Sequence, residues 1–557
     1  ADVVIHEIMY QSGTTPEDQG AEYIELHNTG TSSVSLSGWR FVKGVTYEFP
    51  SDAEIPPGGF LVVAADPARF QVLHPAIAPV VGGWVGQLSN SGERIELSDG
   101  ASQVVSSVHY YDEGDWADRV RGPSSSGTSG WIWRNLADGG GRSLELINPA
   151  AFQDTGQNWR ASTVAGGTPG AANSTFTPQF APNIFDVRHS PGWPTAGEPI
   201  TVHCKVAGAT SAGLEVTLHW RVSLTSPAPF QTAGMSADVP GEYSATIPGQ
   251  ANNAVIEFYV AAANDQSSRS WPPPTNEGQN ANALFVVGGT GEHASANHYR
   301  LVLSVPEATT FAAIHRNSSA DMNCTFIVKD LAAPDGYSIH YRSSVRIRGN
   351  SSRNYNPPPV RVGLPRDNSW DGIEKLNLNT RFAWVQFLGM RLSAASGLAT
   401  PDAIPLKVSI NGADRSESNS SMGGLHVHLE PLNGAFIDRR FPHDDGGNLY
   451  SKGSTTITGV NRDLVRWGVV NDTTIRYTST NPQNTDIDLG DPGPGPGHLQ
   501  VFLNDAARDG SRFGIREDAR PADDPCVLRL RDGHLDHVDA VERGVGIGGR
   551  LRASAGQ

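Results

Sequence analysis

The sequence predicts a multidomain protein: two all-β sandwiches followed by a mixed α+β domain. Three observations carry this. A chain of 557 residues has room for three or four domains. It holds 61 Gly and 38 Pro, and only 18% of it is charged, the profile of many short strands joined by tight turns. The hydrophobic period also changes along the chain. It is near two up to about residue 288, and beyond that stretches of helical period join it.

Residues 1–174 read as the first sandwich. Short alternating runs recur at Val3–Met9, Glu22–His27, Gly59–Ala64, Arg94–Ser98, Val104–Tyr110 and Ser143–Leu146, separated by Gly, Pro, Asn and Ser clusters. Glu7, Glu22 and Glu25 fall within these runs. They could be the start of a Ca²⁺ site, but hard cations need several oxygens converging on one point. The ordinary reading is charge alternating outward from strands. A Pro-rich linker is expected over 175–200. Residues 183–288 follow as a second sandwich, with strands at Ile200–Ala207, Leu214–Val222, Gly241–Ile247, Ala254–Ala263 and Ala283–Val287. In it Trp220 is expected in the core. A second linker, GTGEHASA, covers 289–296.

The α+β domain is expected over 298–504. Strand patterns flank a helical pattern at Trp384–Leu398, whose Phe387, Leu388, Leu392 and Ala395 share one face. Ile404–Gly412 and Leu425–Gly434 read as paired strands with Asn-Gly turns. Residues 505–557 form an atypical tail. It has nine arginines, no lysine and one aromatic residue, Phe513, a composition that fills a core poorly.

Composition narrows the function classes. The net charge of −16 argues against a general nucleic-acid binder. Three scattered cysteines, Cys204, Cys324 and Cys526, make neither a CxxC metal site nor a disulfide framework. No apolar run reaches membrane-span length. The small first residue and immediate strand pattern are those of a chain exported after signal cleavage, which predicts an extracellular or cell-surface location. GxSxG, HExxH and Walker A motifs are absent.

Chemistry gathers at Arg346–Arg361, RIRGNSSRNYNPPPVR. Arg346, Arg348 and Arg353 could offer cationic forks, and the backbone of Gly349, Asn350, Ser351 and Ser352 an anion-binding nest. His426, His428 and Glu430 lie two apart on one strand face and could hold a transition metal. Asp438, Asp444 and Asp445 could hold Ca²⁺. The ordinary readings are a polar strand face and loop carboxylates.

Two resemblances add to this. EYIELHNTG (Glu22–Gly30), VSLSGWRF (Val34–Phe41), IPPGGFLVVAAD (Ile55–Asp66), LSNSGERIELSDG (Leu88–Gly100), SLELINP (Ser143–Pro149) and GGTPGAAN (Gly166–Asn173) occur in the order of the lamin tail domain, an immunoglobulin-like sandwich. That likeness implies attachment or assembly and no catalytic residues. The second sandwich is similar to immunoglobulin or fibronectin type III modules.

RGNSSR, the helix, the strand ending at Glu430 and GNLY (Gly447–Tyr450) resemble the CotH kinase family of atypical protein kinases, over roughly Tyr299–Tyr450. DRRFPHDDGGNLY (Asp438–Tyr450) matches a variant of that family in large exported bacterial proteins. The resemblance implies phosphate contacts at Arg346, Gly349, Asn350, Ser351, Ser352 and Arg353. It implies catalytic roles for Glu430, which would orient a cation, and for Arg348 and Arg361. Asp486 and Asp488 are the nearest match to a metal-binding Asp-x-Asp. The family's phosphate-binding lysine has no counterpart: Asn356, Pro357, Pro358 and Pro359 stand in its place, and Lys375 and Lys452 do not match it.

Two functions follow. One is an exported surface or matrix protein with a degenerate kinase-like domain, whose partners are other surface proteins or further copies of itself. The other is a secreted kinase passing the ATP γ-phosphate to Ser/Thr of surface proteins. ATP and Mg²⁺ are cofactors in the second only. Ca²⁺ is the cation left for the carboxylate groups in the first.

Overall fold

The computed structural model describes residues 2–12, 21–207, 213–288, 297–415, 425–432, 436 and 439–440. It also describes strand backbone at 449–451, 466–469, 475–477, 498–504, 512–518, 528–531 and 534–538. The chain divides into two compact units, 1–375 with 406–420, and 376–405 with 421–557.

The first unit begins with a sandwich. One sheet has the order Trp159–Ala161, Leu144–Leu146, Val3–Met9, Tyr23–Asn28, Phe60–Ala64, Val80–Gly82. The other runs Val104–Tyr111, Gly92–Ser98, Arg40–Lys43, Tyr47–Glu48. Ile5, Ile8, Ile24, Leu26, Leu61 and Val63 pack inward against Phe41, Ile95, Leu97 and Val108. Alternation alone would leave the back of the first sheet in water. Instead Val3–Met9 is buried along its whole length. Helix Pro67–Leu73 covers part of that back face, setting Phe70 against Met9, Tyr23, Val62 and Ala64. Asp66 starts this helix, accepting from the N–H groups of Ala68 and Arg69 at 2.9 and 3.0 Å, and proline follows at the first position.

The second sandwich packs Asn183–Ser190, Ile200–Ala207, Glu242–Ile247 and Ser236–Val239 on a sheet built from Gln231–Gly234, Glu215–Val222, Val255–Ala263, Ser268–Trp271 and Ala283–Val286. Trp220 is in its core, as expected. The expected linker 175–200 differs from the structure. Phe180 and Ala181 are buried and Asn183–Ser190 is a sheet strand. The second linker lies outside the described residues.

A third strand set follows in the same unit. His298–Val302, Met322–Lys329, Tyr337–Ile347 and Val360–Gly363 pair antiparallel in sequence. Ala403–Ile410 joins through residues 407–410, parallel to His298–Val302. This set is fused to both sandwiches. Tyr341 enters the second core, and its hydroxyl shares a 2.6 Å hydrogen bond with His189 Nδ1. Val302, Ile327 and Ile339 share a cluster with Val255, Leu284 and Val286.

A hairpin of the first sandwich that the sequence reading missed, Asp118–Ser125 with Thr128–Arg134, docks on the third set. Trp131 N–H donates to Asp321 O at 2.7 Å and its indole N–H to Glu307 Oε1 at 2.8 Å. Gly130 permits the approach, because a Cβ there would lie 2.3 Å from Asp321 N. Asp115 ties all three parts together. Its carboxylate accepts from Gln157 at 2.8 Å, from the Trp271 indole at 3.2 Å and from Arg342, while its N–H donates to Asp367 at 2.7 Å.

In the second unit, strand His426–Leu429 pairs with Lys375–Asn379 through Asn377, Leu378 and Asn379. The expected helix is Ala383–Ala395, but its sides are not those predicted. Leu388 and Leu392 are 55% and 69% exposed, Ala395 is also exposed, and the buried residues are Ala383 and Met390. Strand backbone at Leu449–Ser451, Arg512–Asp518, His498–Asn504, Leu528–Arg531 and His534–Val538 forms one sheet, reaching into the segment expected as an unpacked tail.

Candidate functional site

Strand Tyr337–Ile347 delivers the arginine-rich turn and Val360–Gly363 carries the chain back. Arg346 and Arg361 are cross-strand partners, so two predicted site residues do sit side by side. The turn is tight. Gly349 has φ +97°, and a Cβ there would lie 1.9 Å from Ser352 Oγ. Asn350 and Gly349 are exposed.

The arginines serve the chain itself. Arg353 donates from Nε to Gly349 O at 2.6 Å, from Nη1 to Arg316 O and Ser318 O at 3.1 and 2.7 Å, and from Nη2 to Ser319 Oγ at 3.1 Å. Such a fork staples the turn to the 316–319 loop and leaves little of the guanidinium for a phosphate. Arg346 faces Asp321 with Nε 3.8 Å from Oδ2. Burial raises the Asp321 carboxyl, while Arg346, Arg119 and Arg361 pull it down. Asp321 is the residue whose backbone the Trp131 hairpin grips, so the first sandwich sets the position of this acid. Nearby, Arg119 is buried and stacks 4.4 Å from the Trp133 ring centroid. Arg348 N–H donates to Pro359 O at 3.0 Å.

The proline run is buried, and Arg415 Nη2 donates to Pro358 O at 2.8 Å. Arg415 thus stands beside the proline run. Burial lowers its pKa to about 10, and it lies over the Phe311 ring. Sequence reasoning missed it because 57 residues separate it from its partner.

In the second unit Glu430 is paired with two arginines. Its Oε1 accepts from Arg439 Nη1 at 2.6 Å, and its Oε2 lies 3.5 Å from Arg440 Nη2. Asp402 completes the group. Its N–H donates to Glu430 Oε2 at 3.1 Å, and its carboxylate meets Arg440 at 2.6 Å and Arg439 at 3.5 Å. Each arginine touches both acids, closing a tetrad. His426 and His428 are fully buried. Burial lowers the His428 pKa to about 4, so it is neutral at pH 7.

Among the described residues no three or more His, Cys, Asp or Glu side chains are grouped to hold a metal ion. Asp438, Asp444, Asp445, Asp486 and Asp488 lie outside the described residues. Cys204 and Cys324 are free and buried. Glu7, Glu22 and Glu25, read as outward-facing, are buried. Glu7 and Glu25 lie on the covered back of the sheet, so alternation there leads into protein rather than water.

Comparison with known proteins identifies one part. Residues 1–112 match the Lamin Tail Domain family. The first sandwich of this chain is thus an immunoglobulin-like lamin tail domain at its N-terminal end, and it supplies Glu7, Glu25 and the segment that leads into the docked hairpin. No curated protein matches the chain. Solved structures with some likeness include a cycloalternan-forming enzyme from Listeria monocytogenes in complex with a pentasaccharide substrate. It is 10% identical with a TM-score of 0.15, and 60% of this chain covers 29% of that one. Another is uncharacterized protein lmo2446 of Listeria monocytogenes EGD-e, 10% identical with a TM-score of 0.15, where 59% of this chain covers 28% of that one. This chain therefore spans less than a third of the length of either. No helix among the described residues is long and apolar enough to cross a membrane.

Proposed function

We propose that this chain is an exported, cell-surface or extracellular assembly protein whose CotH-kinase-like region is a degenerate, structural version of a kinase fold. The observation that carries this reading is the Arg353 guanidinium, held by four oxygens of its own chain. Phosphoryl transfer is mainly positioning and charge neutralisation, so cations must be free to meet phosphate. Here Arg353 is spent on the turn and Arg346 faces Asp321. Docking of the first sandwich's hairpin on the third strand set, through Trp131 to Asp321 and Glu307, supports the same reading, because such contacts transmit load between parts. Partners would be other surface or matrix proteins or further copies of this chain.

The alternative is a secreted atypical kinase acting on Ser/Thr of surface proteins. The Glu430 tetrad favours it, since a carboxylate aligning a cation is one part such a site requires. Full-length protein with Mg²⁺–ATP decides between them. The degenerate reading expects no thermal shift and no phosphate incorporation. Autophosphorylation that is lost in Glu430→Gln would establish the kinase.

A further inference from the structure

Three glutamates from neighbouring strands of the first sandwich form a row. Glu7 is the register partner of Glu25 on one side and Glu145 on the other, and all three are wholly buried. Carboxylates directly opposite one another repel if both are charged. One segment, 166–175, closes over them and spends its donors on them. Thr168 N–H donates to Glu7 Oε1 at 2.8 Å, and Gly170 N–H donates to Glu25 Oε2. Thr168 Oγ1 and Ser174 Oγ each donate to Glu145 at 2.8 Å, and Thr175 N–H at 2.9 Å. From the sheet, the Tyr23 hydroxyl donates to Glu7 Oε1 at 2.7 Å, and the Ser143 hydroxyl donates to the same oxygen at 2.5 Å. Gly167 presses closest: a Cβ would lie 2.2 Å from Glu7 Oε1.

The charges around the row are uneven. Arg160 is the register partner of Glu145 and stands at that end. Glu7 and Glu25 receive hydroxyl and amide donors and one imidazole. His6 Nδ1 is 3.1 Å from Glu25, but burial lowers the His6 pKa to about 4, so it is neutral at pH 7. His27 beside it is likewise lowered to about 4, and burial lowers His74 at the Tyr23 ring. Glu7 Oε2 is buried with no hydrogen-bond partner. Two facing carboxyls, an unpartnered buried oxygen and, among the described residues, no lysine or arginine paired to either carboxyl describe a pair that keeps protons.

We propose that Glu7 and Glu25 form a proton-held latch: with protons on the pair the 166–175 segment stays closed over the sheet, and losing them to water opens it. Burial, chiefly, pushes both carboxyls up to about 8, with Glu25 adding to the shift of Glu7 and Glu145 to that of Glu25. The sign follows. Their folded-state affinity for protons exceeds that of the unfolded chain, so the stability they confer is full below the ordinary Glu value and is lost as pH rises to about 8.

Hydrogen exchange on the full chain, corrected for intrinsic rates, tests this between about pH 6 and pH 9. Wild-type peptides covering 162–175 should lose about tenfold more protection than peptides covering 104–111. In E7Q/E25Q, whose amides imitate the protonated acids, that excess should vanish. Equal profiles for the two wild-type regions would overturn the latch, as would an unchanged excess in the folded variant. Should the double variant not fold, infrared difference spectra of wild type decide. A buried protonated-carboxyl band that disappears across the same range, in step with exchange at 162–175, supports the latch; its absence at about pH 6 refutes it.

Discussion

Glu7, on a strand, and Glu430, just past the end of one, are both buried carboxylates, yet they meet different donors. Around Glu7 these are a phenol, a hydroxyl and a backbone amide, and the neighbouring side chain in register is another acid. Around Glu430 they are two guanidiniums, with a second acid that shares both. Dipoles solvate a carboxylate less fully than a guanidinium does, so burial dominates at Glu7 and its pKa rises. A buried acid can thus be kept either by giving it a proton or by giving it a cation. Glu307, at the docked hairpin, stands between the two. It accepts from the Trp131 indole at 2.8 Å, from Asn323 N–H at 3.0 Å and from Arg121 at 3.4 Å.

The contrast can be broken most forcefully by Gly167→Ala. The new methyl would meet Glu7 Oε1 and the Tyr23 hydroxyl, at a φ of +83°. A loss of about 3 kcal/mol in the unfolding of the first sandwich is expected by calorimetry. An unchanged transition would mean that the segment does not bear on the row.

Next comes Glu430→Gln, which takes the charge from the tetrad. The arginines keep partial contact with water, at 28% and 32% exposure, so the expected loss is about 2 kcal/mol rather than the larger cost of a fully enclosed pair. Trp131→Phe should cost about 1 kcal/mol by removing one donor from Glu307. It should also raise that carboxyl further, because this hydrogen bond holds it down.

The smallest effect is expected for Glu7→Gln at about pH 4, within about 0.5 kcal/mol, because both side chains are then uncharged. Its sign is diagnostic: the variant should gain on wild type as pH rises toward about 8. A loss at Glu7→Gln as large as at Glu430→Gln would erase the distinction.

Strand rhythm was legible in several runs of the first sandwich, though not in the Asp118–Arg134 hairpin. Val3–Met9 coincides with its prediction, and Phe60–Ala64 and Leu144–Leu146 each begin one residue later than read. Trp220 was legible because an aromatic in a period-two run has few exposed solutions. The glutamates were not. Glu7 and Glu25 alternate with apolar residues, and nothing local says that residues 166–175 will cover them. Pro density from 175 to 200 suggested a linker, yet proline at strand edges is compatible with a sheet. The RGNSSR turn was legible as a turn, whereas the ends to which Arg353 is put depend on carbonyls at 316 and 318. Arg439 and Arg440 lay close to Glu430 in sequence, but only their backbone placement brings both to Asp402.

The Asp115 junction has a consequence for synthesis. Its arginine partner lies 227 residues downstream. At about 5–20 residues per second, the lamin tail domain leaves the ribosome roughly 10–45 s before Arg342 exists. For that interval the nascent chain displays a carboxylate without its cation and a hairpin, Asp118–Arg134, without its docking surface. A chaperone that shields this hairpin would find its window there, and a stop codon near residue 290 should yield a fragment that aggregates through it.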